Sequence, residues 1–207
     1  IVVFDTETTG LNVFTDDIIE VAAIRIKGGK VVGKPLDLYI ETDKPILPKL
    51  GDKENPMYAI YHEKLATGEL LPPADALQRF LAYVGTSPIL GHNANYDYNI
   101  LDNNLQRYCN DTMQAHPIRC FDSLKLIRLL APSLHSYKLE SLLETFHLTG
   151  VNSHQAIDDV WATVSLVRLC AEKAREKQAS QEAFIHHPKV KPFANVLRSN
   201  YGESYRT

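Results

Sequence analysis

Two carboxylates near the start of the chain are spaced to hold a metal ion. Asp5 and Glu7 follow an apolar run in IVVFDTETTG, residues 1–10. A run rich in β-branched residues is typical of a strand buried on both faces. Since side chains alternate along a strand, Asp5 and Glu7 leave the same face. Such like charges repel unless a cation lies between them, and carboxylate oxygens suit a hard divalent ion. The alternative is a polar turn that merely follows a strand.

A third carboxylate, Asp97, ends the segment HNANYD, residues 92–97. On the helix that we expect to begin there, Asp97 shares a face with Ile100, Leu101 and Asn104. A carboxylate on an inward face is unfavourable unless it is paired or bound to metal. The alternative is that Asp97 only interacts favourably with the N-terminal end of the helix dipole.

The segment SHQAIDD, residues 153–159, adds a histidine and two more carboxylates. Histidine titrates near neutral pH and can act as a general base, although a lone histidine at a helix start is often structural or solvated. If His154 already belongs to the helix, Asp158 shares its face. If His154 precedes the helix, Asp159 is equally suitable. The spacing leaves this choice open.

The elements that must position these groups follow from the apolar pattern. The opening strand and strands over 18–26 and 31–40, the last two joined by a glycine hairpin, predict an antiparallel meander. Between 41 and 73, prolines predict an irregular excursion. Alternating elements follow: helices over 74–84, 97–108, 123–130, 139–146 and from about 157, and strands over 88–90 and 118–120. This order predicts an α/β fold with a mixed sheet flanked by helices.

Length and composition are sufficient for one globular domain, since 44% of the 207 residues are hydrophobic. We place this domain at residues 1–178 and expect 179–207 to form an extended C-terminal tail. The tail either packs on the domain or links it to another domain or partner. Because the chain does not begin with Met, a fragment of a larger protein remains an open alternative.

Charge and cysteine content exclude several classes of protein. The net charge of −3 argues against a broad basic surface that grips a long duplex, but allows a small contact with a chain end. No apolar stretch approaches the roughly 18 residues of a membrane helix. The three cysteines are too scattered for a disulfide framework or a zinc site. We therefore expect a soluble, cytoplasmic protein without a membrane partner.

Taken together, FDTETTG, HNANYD and HQAIDD resemble the motifs of the DnaQ-like 3′→5′ exonucleases, in the branch with four acidic residues and a histidine. The resemblance spans about residues 1–169. It implies a ribonuclease H-like fold with a central mixed five-stranded sheet. The third motif of this family has the form HxAxxD, so the resemblance selects His154 and Asp159 and leaves Asp158 as a bystander.

The resemblance also implies the chemistry. Asp5, Glu7, Asp97 and Asp159 would be the catalytic metal ligands for two Mg²⁺ ions, which Mn²⁺ can replace. His154 would be the catalytic general base. The implied reaction releases nucleoside 5′-monophosphates from the 3′ end of single-stranded nucleic acid in proofreading or repair. DNA is favoured over RNA, and a polymerase or helicase is the expected partner or fused domain. The alternative is an inactive module that binds nucleic acid or a partner protein. The presence of all four carboxylates and the histidine argues against it, because binding alone does not need them.

The resemblance further implies contacts with the terminal nucleotide. Some of these side chains have an alternative role, because Phe14 could pack, His92 and Asn93 could bond only within their loop, and Glu20 could support the metal site from behind. The expected substrate-binding residues are Thr6, Thr8, Gly10, Leu11, Phe14, Glu20, His92 and Asn93.

Overall fold

The fold is described from a computed structural model, which covers residues 1–50, 52–151 and 153–184. A central sheet lies between two layers of helices. The greater part of the expected tail, residues 185–207, lies outside the described residues. Within the described ranges, no helix has the length and apolar character needed to span a bilayer.

Within the described ranges, the chain forms eight strands in sequence order. They are β1 (Val2–Thr8), β2 (Ile18–Lys27), β3 (Lys30–Val31), β4 (Leu36–Tyr39), β5 (Lys49–Leu50), β6 (Lys53–Glu54), β7 (Ile89–Gly91) and β8 (Cys120–Asp122). Strands β5 and β6 form a separate two-stranded sheet. The main sheet has the order β3-β2-β1-β7-β8, and β4 also pairs with β2.

The main sheet is mixed, as predicted. Strand β1 pairs antiparallel with β2, and β2 pairs antiparallel with β3 and β4, whereas the β1–β7 and β7–β8 pairs are parallel. The prediction of an antiparallel meander joined to parallel strands is therefore confirmed. The sheet has six strands rather than five because Gly33, at φ 76, and Pro35 interrupt the strand expected over 31–40.

In the part of the chain that the structure describes, six helices cover the sheet and its edges. They are α1 (Pro56–Thr67), α2 (Pro73–Val84), α3 (Asn95–Cys109), α4 (Ser123–Leu130), α5 (Leu139–Phe146) and α6 (Ala156–Phe184). A short 3₁₀ turn covers Met113–Ala115. All but α1 were predicted to within a few residues at their starts.

Helix α1 corrects the expectation of an irregular excursion between 41 and 73. Pro56 stands in its first turn, where the missing N–H of proline removes no helical hydrogen bond. The side chain of Asn55 caps the helix by accepting a hydrogen bond from the N–H of Met57, 3.1 Å away. Only Met57 and Tyr61 of this helix are buried, so no continuous apolar face marks it in the sequence.

The side chains of β1 alternate between the two helical layers. Val3 packs in the core on the α6 side, with Val160 and Val164. Phe4 packs in the core that contains residues of α2 and α3, including Phe80. Because side chains alternate, Asp5 and Glu7 lie on the α6 face, and Thr6 lies on the α3 face.

Candidate active site

The start of α6 approaches the end of β1, and three possible metal ligands meet there. One ligand atom each from Glu7, His154 and Asp159 lies within 4.8 Å of the others. Glu7 comes from β1, Asp159 from the first turn of α6 and His154 from the loop before that helix. The three residues are adjacent only in the folded chain.

Asp5 lies close enough to the other acidic residues for their charges to raise its pKa. Burial is the main reason that the pKa of Asp5 is raised well above its usual range, followed by the charges of Asp97 and Glu7 and then that of Asp159. The structure therefore brings together the four acidic residues expected from the sequence.

The other three acids also hold protons more tightly than usual. Burial, followed by the charge of Glu20, raises the pKa of Glu7 to about 9. Burial, followed by the charge of Asp158, raises that of Asp159 to about 7. The pKa of Asp97 rises only to about 6, because hydrogen bonds from Thr6 oppose the effect of burial. Four crowded carboxyls of this kind form a donor set that a hard divalent cation would stabilise.

Thr6 holds Asp97 in place. Its N–H and its hydroxyl both donate to Asp97 Oδ1, at 3.2 and 2.6 Å. Thr6 is buried and its hydroxyl donates to Asp97, and the expected contact of its side chain with substrate stays a prediction. The contact with Asp97 ties the second motif to the first strand.

The backbone around His154 separates the roles of Asp158 and Asp159. The hydroxyl of Ser153 donates to Asp158 Oδ2 at 2.7 Å, whereas Asp159 is the member of the cluster with Glu7. His154 is exposed and has φ 57, in the left-handed region. His154 therefore precedes the helix, which begins at Ala156. In that arrangement the spacing left Asp158 and Asp159 equally suitable, and the cluster with Glu7 distinguishes Asp159.

Glu20 supports the site from behind. It is completely buried and stands opposite Glu7 in the register of β1 and β2. Its Oε1 accepts a hydrogen bond from the N–H of Ile157, 3.3 Å away in the first turn of α6, where a carboxylate is favourable. Burial, followed by the charge of Asp37, raises the pKa of Glu20 to about 8. Of the two alternatives for Glu20, its burial favours support of the metal site over direct contact with a nucleotide.

His92 is also occupied within the protein. Its Nε2 donates to the carbonyl oxygen of Tyr137 at 2.9 Å, and its Nδ1 lies 2.9 Å from the hydroxyl of Ser123. Burial lowers its pKa. Both ring nitrogens have partners in distant segments of the protein, which favours a structural role over the expected substrate contact. Asn93 differs, since it is exposed at φ 62 and Asp122 holds only its backbone N–H.

The loop that follows β1 displays apolar side chains beside the acids. Leu11 is 88% exposed and Phe14 is 73% exposed, which rules out the alternative that Phe14 packs in the core. A Cβ at position 10 would meet the Asp16 carboxylate at 2.6 Å, so a larger residue there would displace that side chain. We call residues 8–17 the β1–β2 loop.

Sequence reasoning missed the residues that hold the β1–β2 loop. Tyr96 and Asn104 of α3 hydrogen-bond to the loop, Tyr96 at the carbonyl of Gly10 and Asn104 at that of Asp16. The signal was present for Asn104, a polar residue on the inward face of α3. No pattern in the sequence indicated the partner of the Tyr96 hydroxyl.

Without divalent cations, the protein is expected to lose stability between pH 7 and pH 9. Unfolded carboxyls are fully ionised in this range, whereas folded Glu7 and Glu20, with pKa values of about 9 and about 8, still hold protons. The folded state binds more protons, so the free energy of unfolding falls as pH rises. Thermal unfolding in EDTA measures this. Glu7→Gln is expected to flatten the dependence, and a melting temperature that rises over the same range would contradict the repulsion described here.

The sequence matches a known family over most of its length. The family model RNase_T, described as Exonuclease, matches residues 2–167. Among curated proteins, the chain is 29% identical over 180 residues to the PolC-type DNA polymerase III of Bacillus subtilis (strain 168), covering 85% of this chain and 12% of that protein. It is 33% identical over 165 residues to that of Thermotoga maritima (strain ATCC 43589 / DSM 3109 / JCM 10099 / NBRC 100826 / MSB8), covering 80% and 11%. The chain thus spans about an eighth of these relatives.

A solved structure has the same fold. E. coli exonuclease I in complex with a dT13 oligonucleotide superposes with a TM-score of 0.66 at 25% identity, over 89% of this chain and 43% of that one. The chain therefore spans less than half of the E. coli protein. This likeness confirms the ribonuclease H-like fold.

Proposed function

The chain belongs to the exonuclease family whose model it matches, and from that membership we propose that it is a metal-dependent 3′→5′ exonuclease. It hydrolyses DNA phosphodiester bonds from the 3′ end and releases nucleoside 5′-monophosphates, in proofreading or repair. The observation that carries the proposal is the cluster of Glu7, His154 and Asp159 within 4.8 Å of one another. Asp5 and Asp97 lie close to this cluster. The charge of Asp97 raises the pKa of both Asp5 and Glu7, and the charge of Glu7 raises that of Asp5.

The four carboxylates fit a pair of divalent cations. Asp5, Glu7, Asp97 and Asp159 supply hard oxygen donors and about −4 of charge against +4, so they would hold two Mg²⁺ or Mn²⁺ ions. When bound, such ions stabilise charge on the phosphoryl oxygens, assist the leaving 3′-oxygen and acidify the attacking water. Thr6 orients Asp97, and Glu20 anchors the first turn of α6, which carries Asp159.

His154 is proposed as the general base. It stands in a solvent-exposed position at the edge of the carboxylate cluster, where it can take the proton of the attacking water and release it to solvent. A ring nitrogen of His154 lies within 4.8 Å of ligand atoms of Glu7 and Asp159. Asp159 holds the same loop, since it accepts hydrogen bonds from the N–H groups of Ser153 and His154.

The terminal nucleotide would lie on the β1–β2 loop. Thr8, Gly10 and Leu11 are proposed to cradle it, Phe14 to stack on a base and Asn93 to reach the sugar or phosphate. The exposure of Leu11 and Phe14 supports these roles, as stacking on an aromatic ring tolerates any base. The oligonucleotide named in the E. coli exonuclease I complex supports single-stranded DNA as the substrate class.

The chain is also proposed to work beside a polymerase or helicase in the cytoplasm. Its curated relatives are PolC-type DNA polymerase III proteins, of which it spans 12% in the Bacillus subtilis case. Its three cysteines are free, as a reducing compartment requires. The boundary expected at 178 falls inside α6, which continues to Phe184, so we propose that the domain ends with that helix and the linking tail follows.

A labelled-strand assay tests this function. Single-stranded DNA and RNA of one sequence, labelled at the 5′ or the 3′ end, are incubated with Mg²⁺, Mn²⁺ or EDTA. We expect a ladder of shortened products from 5′-labelled DNA, immediate release of a labelled mononucleotide from 3′-labelled DNA, slower loss of RNA, and no reaction in EDTA. Faster loss of RNA would assign the enzyme to RNA trimming. No metal-dependent shortening of either strand would overturn the proposal.

A further inference from the structure

Helix α3 holds the β1–β2 loop at both ends. At its start, the hydroxyl of Tyr96 donates to the carbonyl oxygen of Gly10 at 2.6 Å. At its end, the side-chain amide of Asn104 donates to the carbonyl of Asp16 at 3.2 Å and accepts from the N–H of Ile18 at 3.2 Å. The two ends of the loop are therefore fixed to one rigid element.

Further down the same helix, two more side chains hold the end of the loop. Arg107 donates to the carbonyl of Thr15 at 2.9 Å and pairs with the carboxylate of Asp17 at 2.9 Å. The hydroxyl of Tyr108 donates to the same carboxylate at 3.0 Å. The end of the loop thus has several anchors on α3, whereas contacts at its start come from Tyr96.

Contacts inside the loop fix its shape between these anchors. The carboxylate of Asp16 accepts from the N–H of Asn12 at 2.8 Å and from the hydroxyl of Thr9 at 3.1 Å. The N–H of Asp16 in turn donates to the carbonyl of Asn12 at 2.8 Å. These contacts engage polar groups within the loop itself, whereas the side chains of Leu11 and Phe14 are exposed.

Tyr96 has a special position because its neighbour in the chain is Asp97. The ring of Tyr96 packs against the main core, Asp97 is held by Thr6, and the Tyr96 hydroxyl reaches Gly10. One turn of α3 therefore fixes both a carboxylate of the proposed metal site and the carbonyl next to Leu11.

We propose that Tyr96 is a positioning residue, whose hydroxyl holds the Gly10 carbonyl so that the β1–β2 loop is already shaped for the terminal nucleotide before binding. This inference rests on the proposed function and deepens it. A preorganised loop loses less conformational freedom on binding, so its effect is on affinity. Preorganisation of the loop does not alter the groups that take part in hydrolysis.

Removal of the Tyr96 hydroxyl is therefore expected to weaken binding while leaving the chemical step nearly unchanged. In Tyr96→Phe the ring and its packing remain, and the Thr8 hydroxyl, 2.8 Å from the Gly10 carbonyl, can still donate to it. We expect KM to rise about fivefold, the order of one lost hydrogen bond, with kcat within about twofold of wild type.

The Thr8 hydroxyl provides a second and sharper test. It lies 2.8 Å from the Tyr96 hydroxyl as well as 2.8 Å from the Gly10 carbonyl, so each hydroxyl can partly replace the other. The double variant Tyr96→Phe/Thr8→Val leaves that carbonyl with neither donor. We expect the fold increase in its KM to exceed the product of the fold increases in the two single variants. Such an excess is the sign of coupling through a shared acceptor.

The experiment measures binding and turnover on the same proteins. Fluorescence anisotropy in EDTA gives the affinity for a labelled single-stranded DNA oligonucleotide, and initial rates in Mg²⁺ give KM and kcat. The matched control is Tyr83→Phe, which removes a tyrosine hydroxyl that donates to the carbonyl of Lys34 at 3.1 Å, away from the loop. The control is expected to match wild type in both measurements.

The outcomes separate the inference from the function on which it rests. If wild type binds and shortens DNA but Tyr96→Phe matches it in KM, the positioning role is wrong and the proposed function stands. If Tyr96→Phe lowers kcat about as much as it raises KM, the hydroxyl acts on the chemical step and the inference is also wrong. If wild type neither binds nor shortens DNA, the proposed function fails and the inference fails with it.

Discussion

Asp5→Asn is expected to lower the rate of DNA shortening in Mg²⁺ by about a thousandfold, which corresponds to about 4 kcal/mol of transition-state stabilisation. Asparagine keeps the shape of the side chain but removes its charge. Asp5 is the acid whose pKa responds to all three of the other proposed ligands, so its loss should disturb the whole donor set. The measurement is the single-turnover rate on 5′-labelled single-stranded DNA.

The same variant should be no less stable than wild type when metal is absent. Burial and like-charge repulsion destabilise the ionised form of Asp5, so replacing it by a neutral isostere relieves both effects. Thermal unfolding in EDTA distinguishes lost chemistry from lost folding. Asp75→Asn, which removes an exposed acid in the first turn of α2, serves as the charge control. An Asp5→Asn enzyme that retains a tenth or more of the wild-type rate would contradict the role of Asp5.

Replacement of His154 is expected to lower the rate by about a hundredfold to ten-thousandfold, the usual contribution of a general base. The choice of variant matters because His154 has φ 57, a conformation that glycine and asparagine tolerate but that strains alanine. His154→Asn and His154→Gly should therefore fold normally and lose activity to a similar extent. Imidazole added to His154→Gly is expected to restore part of the rate.

A His154 ring nitrogen lies within 4.8 Å of ligand atoms of Glu7 and Asp159, so its role as general base must be distinguished from a role as metal ligand. The affinity for metal makes this distinction. Calorimetric titration with Mn²⁺ is expected to give His154→Asn an affinity close to that of wild type, whereas Asp159→Asn binds more weakly. A His154 variant that loses Mn²⁺ binding as fully as Asp159→Asn would make the histidine a metal ligand. Unchanged turnover would remove its role altogether.

The outline of the site was predictable because it depends on strand alternation and on the position of motifs at element ends. Asp5 and Glu7 lie on one face of β1, as the two-residue period requires. Asp97 lies buried in the first turn of α3. These features are local in the sequence, so a single chain can indicate them.

The roles of Thr6, Glu20 and His92 were not predictable because their partners are distant in the chain. Thr6 bonds to Asp97, Glu20 to the N–H of Ile157 and His92 to the carbonyl of Tyr137. Each polar side chain looks available in the sequence and is occupied in the fold. Only the three-dimensional structure identifies which polar groups remain free to meet a ligand.

Two further features depended on single backbone details. Helix α1 was missed because Pro56 indicated a break, although proline in the first turn is compatible with a helix. Spacing also left open the choice between Asp158 and Asp159, which depended on whether His154 was helical. The left-handed φ of His154 settles its position in the loop before α6.

The rates of DNA shortening by Asp158→Asn and Asp159→Asn, measured side by side, are the sharpest test of the proposed metal site. The two variants remove the same charge from neighbouring positions, but Asp159 lies in the cluster with Glu7 and His154, whereas Asp158 bonds to Ser153. On 5′-labelled single-stranded DNA with Mg²⁺, Asp158→Asn is expected to retain a rate within a few-fold of wild type and Asp159→Asn to lose about a thousandfold. Equal losses in the two variants, or an Asp159→Asn enzyme as active as wild type, would contradict the proposed metal site.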